Sequence, residues 1–137
     1  MHRKQPALAV DAVVFDAHGR LLLIRRKGAP FKGRFALPGG FVELGETVEA
    51  AVRRELLEET GLKANSQRLI GVYSNPRRDP RGHTISVAFL VSVAAAQPKS
   101  GDDAASAHYV PEWRNMKLAF DHDEIVADAT RLMRKPS

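Results

Sequence analysis

Cysteine is absent from the 137 residues, so no disulfide or thiolate metal site can form, and any cation must be held by oxygen or imidazole. That leaves hard cations as the natural candidates. Aromatic residues are few, at 7%. They do not interleave with the basic clusters Arg25-Arg26-Lys27, Arg53-Arg54 and Arg77-Arg78 with Arg81, as a single-strand nucleic-acid platform would require. Nucleic acid is therefore not an expected partner. No segment approaches the roughly 20 apolar residues that span a bilayer, and Asp11 interrupts the apolar stretch Pro6 to Val10 before it could serve as a secretory leader. We expect no membrane partner and a cytoplasmic location. What is present, 44% hydrophobic and 27% charged residues, suits one globular unit, so residues 1–137 are expected to form a single domain. The net charge of +5 favours anionic partners without saying which.

Ala7 to Phe15 is β-rich, Asp16-Ala17-His18-Gly19 carries turn residues, and Leu21 to Ile24 is apolar again, which together read as a hairpin. The segment Phe35 to Val42 is broken by Pro38-Gly39-Gly40, where backbone can bend and approach a ligand closely. From Thr47 to Thr60 there is no Gly or Pro, and Val48, Val52 and Leu56 recur every four residues, which predicts a helix ended by Gly61. Gln67 to Tyr73 and Thr84 to Val93 read as strands around the loop Pro76 to Gly82. His108 to Glu112 reads as a short strand. Asp121 to Arg134 reads as a closing helix whose apolar face is Ile125, Ala129, Leu132 and Met133, with Asp121 and Glu124 resembling a capping box.

Glu55, Glu58 and Glu59 stand at i, i+3 and i+4, so three carboxylates share one helix face. They repel one another, and the helix dipole also disfavours them in the last turns. A divalent cation reverses that balance. The plain alternative is a solvated acidic helix end paired with Arg53, Arg54 or Lys63. The surrounding spacing decides between the two: Gly40, five residues, Glu46, seven residues, then Arg54-Glu55-Leu56, Glu58-Glu59 and Gly61-Leu62. This resembles the Nudix signature at every fixed position.

The resemblance implies an α/β fold, a Nudix-type α/β/α sandwich with a central mixed β-sheet, and hydrolysis of a nucleoside diphosphate linkage. It implies Mg²⁺, with Mn²⁺ as an alternative, held by Glu55, Glu58, Glu59 and the Gly39 carbonyl, with one glutamate available to activate water. Glu46 and Arg54 would take a structural part, the arginine orienting a glutamate. Asp102, Asp103 and Glu112 stand as candidates for an additional acid. Pro76, fifteen residues past Gly61, the segment Tyr73 to His83 and Leu118 to His122 look like the subgroup acting on ADP-ribose. The expected reaction gives AMP and ribose 5-phosphate. Hydrolysis of oxidised nucleoside triphosphates or dinucleoside polyphosphates, and a non-catalytic nucleotide sensor, are the competing readings. Arg25, Arg77, Arg78 and Arg81 are candidate binders of the diphosphate or terminal ribose. Trp113, Tyr73 and Phe31 are candidates for adenine stacking or for core, and the histidines are given no catalytic weight. Similar proteins are often homodimers.

Overall fold

The computed structural model describes residues 5–99 and 104–135. In chain order it contains β1 (Ala7–Val13), β2 (Leu21–Arg26), β3 (Phe35–Ala36), β4 (Gly39–Phe41), α1 (Val48–Thr60), β5 (Ala64–Tyr73), β6 (Thr84–Val93), β7 (Ala104–Val110), a 3₁₀ turn (Trp113–Asn115) and α2 (His122–Met133). The strands form a four-stranded sheet, β4-β1-β6-β5, and a three-stranded sheet, β3-β2-β7. The larger one is mixed, because β1 runs parallel to β6 and antiparallel to β4.

Successive strand residues point to opposite faces, and here the alternation serves two helices. Val10, Ala12, Leu22, Phe89 and Val91 pack with Ala51, Val52 and Leu56 of α1. Their neighbours Val13, Leu21, Leu23 and Ala88 pack with Ile125, Val126 and Ala129 of α2. Helices therefore cover both faces of the strands, giving the α/β/α sandwich. The Thr47 side chain accepts the Ala50 N–H at 3.0 Å to start α1, and Gly61 ends it at φ 72° with its N–H on the Leu57 carbonyl. Val52 and Leu56 are buried as the stripe requires, while Val48 is half-buried.

Several sequence expectations are corrected. The turn after β1 forms, with the Asp16 carboxylate accepting the His18 and Arg20 N–H groups, but β1 and β2 do not continue as a hairpin. Beyond the Phe15–Leu21 bridge they enter different sheets, because β4 and β6 take the two edges of β1. β7 runs from Ala104 rather than from His108: its alanines and serine have weak strand preference, and pairing with β2 decides. Asp121 makes no capping bond, since its carboxylate is taken by Arg78. Met133 is exposed, and buried Val126 takes its place on the core face of α2.

Candidate active site

Arg54 organises the acidic face of α1. Its Nε and Nη2 grip the Glu46 carboxylate at 2.7 and 2.9 Å, its Nη1 reaches Glu55 at 2.7 Å and Glu58 at 3.1 Å, and Nη2 also donates to the Phe41 carbonyl. One guanidinium thus ties the loop between β4 and α1 to the helix and offsets the repulsion among the carboxylates. Glu59 turns the other way, where its Oε1 accepts the Gly39 N–H at 2.7 Å. The side chain of Glu58 is 55% exposed and that of Glu55 only 15%. Burial pushes the Glu55 carboxyl above its usual range, against the opposing pull of Arg54.

Two glycines let these groups approach. A Cβ on Gly40 would lie 2.5 Å from the Glu55 carboxyl carbon, and one on Gly39 would lie 2.2 Å from the Val10 carbonyl oxygen. Gly39, Gly40, Glu55 and Glu59 line one wall of a cavity of about 410 Å³, within the size range of small-molecule sites.

The rest of the cavity comes from elements far apart in sequence. Arg26, Lys27 and Arg81 bring positive charge, Phe41 and Phe120 bring rings, and Asp11, Arg78, Asp79 and His122 bring polar groups. The Arg81 guanidinium stands 5.7 Å from the Phe41 ring and 5.6 Å from the Phe120 ring, while Arg26 stands 4.9 Å from Phe120. Arg81 also grips the Asp79 carboxylate through Nε and Nη2, which together with its own backbone N–H holds that carboxyl below its usual range although burial opposes this. Arg26 is destabilised as a cation first by burial and then by the like charge of Arg81. An anion between them would relieve that repulsion.

The expected site residues therefore divide. Glu55, Glu59, Gly39 and Arg81 meet at the cavity, and Glu46, Arg54 and Glu58 form the layer beside it. Arg25 lies outside it, exposed with its guanidinium over Phe35, and Arg77 is exposed beside Asn75. Arg78 is fixed by Asp121, with a side chain 5% exposed. Glu112 is exposed away from the cavity, and Asp102 and Asp103 lie outside the described residues. Trp113 and Tyr73 are core residues, whereas Phe31 packs edge-on against Phe120 at 4.9 Å. Asp11, Arg26 and Phe41 are cavity residues that no motif in the sequence marks, and Phe120 and His122 reach the cavity from the segment Leu118 to His122, which the sequence marks only as a subgroup resemblance.

Among the described residues no three acidic or imidazole side chains are already gathered into a cation cage. The donor set nevertheless fits a hard cation: all ligands are oxygen, Glu55 is seated in the space left by the missing Gly40 Cβ, and Glu59 is beside Gly39.

Arg54 and the Glu43 N–H hold the Glu46 carboxyl down to about 2 from its ordinary 4.5. Because the folded value is depressed, the stabilisation is present above pH 4.5 and is lost as pH falls through about 2. We therefore expect Glu46→Gln to melt below wild type at pH 7. The two melting curves should converge as the pH falls from 4.5 toward 2; a gap independent of pH would show that the ion pair is not the cause.

Residues 5–134 match the family profile described as the NUDIX domain. The chain is 54% identical to the ADP-ribose pyrophosphatase of Methanocaldococcus jannaschii, over 92% of this chain and 74% of that protein. Among solved structures, the NUDIX domain of Shewanella oneidensis NrtR complexed with ADP ribose superposes with a TM-score of 0.88 at 29% identity, covering 96% of this chain and 90% of that one. The bifunctional NMN adenylyltransferase/ADP ribose pyrophosphatase of Francisella tularensis, complexed with AMP and a Mn ion, superposes at 0.79 with 29% identity. It is matched over 94% of this chain and 42% of its own length. With the signature complete from Gly40 to Leu62, its glutamates set against a glycine-lined cavity and the profile matched along nearly the whole chain, this protein belongs to the Nudix family.

Proposed function

We propose that the chain is a pyrophosphohydrolase that converts ADP-ribose and water to AMP and ribose 5-phosphate, with Mg²⁺ as its cation and Mn²⁺ able to substitute. The observation that carries this is the cavity itself, which sets Glu55 and Glu59 against the basic side chains Arg26, Lys27 and Arg81. Carboxylates suit a divalent cation, and guanidinium and ammonium groups suit the negative charge of a diphosphate. The similarity to a named ADP-ribose pyrophosphatase, and to a domain complexed with ADP ribose, supports the substrate.

Glu55, Glu58 and Glu59 would hold the cation together with the Gly39 carbonyl. When bound, the cation would neutralise phosphate oxygens and make a water more acidic. Arg54 keeps Glu55 and Glu58 oriented, and Glu46 keeps Arg54 in place. Arg26 and Arg81 would grip the diphosphate on the side remote from α1. Hydrolysis adds the water oxygen to one phosphorus, breaks the bridging P–O bond and leaves the proton on the departing phosphate side or on a nearby base. On this reading the partners are a small-molecule nucleotide and a cation, with no nucleic acid. A homodimer follows from the family resemblance, and the cytoplasmic location from the sequence expectation.

The test is incubation of the purified protein and Mg²⁺ with ADP-ribose, NADH, a dinucleoside polyphosphate and 8-oxo-dGTP, with products separated by chromatography. AMP and ribose 5-phosphate should appear fastest. Faster turnover of 8-oxo-dGTP would overturn the substrate and leave the reaction class intact, whereas binding of ADP-ribose without turnover would make the chain a sensor.

A further inference from the structure

The cavity contains a buried polar pair that the hydrolytic chemistry above does not use. Asp11 is a carboxylate in the middle of β1, between buried Val10 and Ala12, and its side chain is only 10% exposed. Its Oδ2 accepts the Ser86 hydroxyl at 2.5 Å. Its Oδ1 stands 2.6 Å from where a Cβ on Gly39 would lie. The Nε2 of His122, the first residue of α2, is 3.4 Å from that same Oδ1. Ordinary N–H···O bonds close to about 2.9–3.0 Å, so this contact is loose.

The tautomer of His122 follows from its other nitrogen. Nδ1 accepts the Leu37 N–H at 3.0 Å, so the hydrogen of the neutral ring is on Nε2. Asp11 and His122 therefore present an acceptor and a donor side by side, each with capacity left, on the lining of the cavity. A hydroxyl matches both, donating to Oδ1 and accepting from Nε2–H. A phosphate oxygen accepts only, and would bring its charge against the Asp11 carboxylate.

We propose that Asp11 and His122 together bind a hydroxyl of the terminal sugar, the one on the far side of the diphosphate from the nucleoside, and so select a diphosphate that continues in a sugar over one that continues in further phosphate. Gly39 fixes the distance from the chemistry: Glu59 accepts its N–H, and Asp11 is its pairing partner in β1. The hydroxyl consequently belongs to the group next to the scissile linkage. This rests on the ADP-ribose reading and adds to it the residues that read the sugar.

The experiment compares kcat/KM for ADP-ribose and for the β-methyl ester of ADP, which keeps the adenosine and the diphosphate and lacks only the terminal ribose, in wild type, Asp11→Asn and His122→Asn. The asparagine at 122 retains an acceptor for the Leu37 N–H and loses the Nε2 donor, so this variant guards against a folding defect. Wild type should prefer ADP-ribose by at least about tenfold, the effect of one hydrogen bond to a charged partner. Each variant should lose most of that preference because ADP-ribose turnover falls further than methyl ester turnover. Equal losses on both substrates, or a preference unchanged in both variants, would overturn the pair while the ADP-ribose reading stood. A wild type that hydrolyses neither compound would remove that reading and the pair with it.

Discussion

Glu55→Gln is expected to lower kcat for ADP-ribose by about 10³-fold, the scale of removing one preorganised charged group from a transition state. Stability should hardly change. Glutamine keeps an oxygen where Nη1 of Arg54 donates, and loses a charge that burial and the neighbouring Glu58 and Glu46 already disfavour. The half-saturating Mg²⁺ concentration should rise as well, because a neutral amide is a poorer ligand for a hard cation. Steady-state kinetics across a Mg²⁺ titration, with a melting curve alongside, separates these effects. Activity within tenfold of wild type at saturating Mg²⁺ would show that Glu55 is not a cation ligand.

The helix carrying this residue was legible in the sequence because its signals are local. The Thr47 cap, the stripe through Val52 and Leu56 and the left-handed Gly61 are each set within one or two turns. The carboxylate spacing was equally legible, since α-helical periodicity alone places Glu55 and Glu59 on one face. What periodicity could not show is that Arg54 gathers Glu46, Glu55 and Glu58 while Glu59 turns back to Gly39. That division depends on how the loop from β4 folds over the helix.

The opposite side of the cavity was hidden for a different reason. Arg26 ends β2, Arg81 sits in the loop before β6, Phe120 lies just before α2 and His122 opens it, so only the topology brings them together. Runs of basic residues offered several arginines of equal standing, and alternation along the strand decided among them: Arg26 lines the cavity and Arg25 points away from it. Asp11 did leave a signal. A lone carboxylate flanked by Val10 and Ala12 in a buried strand requires partners, and Ser86, His122 and Arg78 are those partners. The hairpin expected from β1 and β2 failed on the same topological ground, because a turn fixes the reversal of the chain but not which neighbours the strands then find.

The two adjacent glycines at the cavity should respond in opposite ways to a single methyl group. On Gly39 a Cβ would meet the Val10 carbonyl oxygen at 2.2 Å and the Asp11 Oδ1 at 2.6 Å, and the first of these is backbone. β4 pairs with β1 through Gly39 and Asp11, so the strand would have to move off its neighbour. Overpacking of this kind costs about 3 kcal/mol, and Gly39→Ala should melt roughly 10 °C lower. On Gly40 the obstacle is the Glu55 carboxylate at 2.5 Å, the far end of a flexible side chain. It can swing aside at little cost in stability, but it leaves the position from which it would hold the cation. Gly40→Ala is therefore expected to melt within about 3 °C of wild type while kcat falls about 10²-fold. Calorimetry and initial rates on the two variants measure both axes at once. A Gly40→Ala enzyme with wild-type kcat would show that the seat of Glu55 against this glycine does not matter to catalysis, whatever the role of the carboxylate itself.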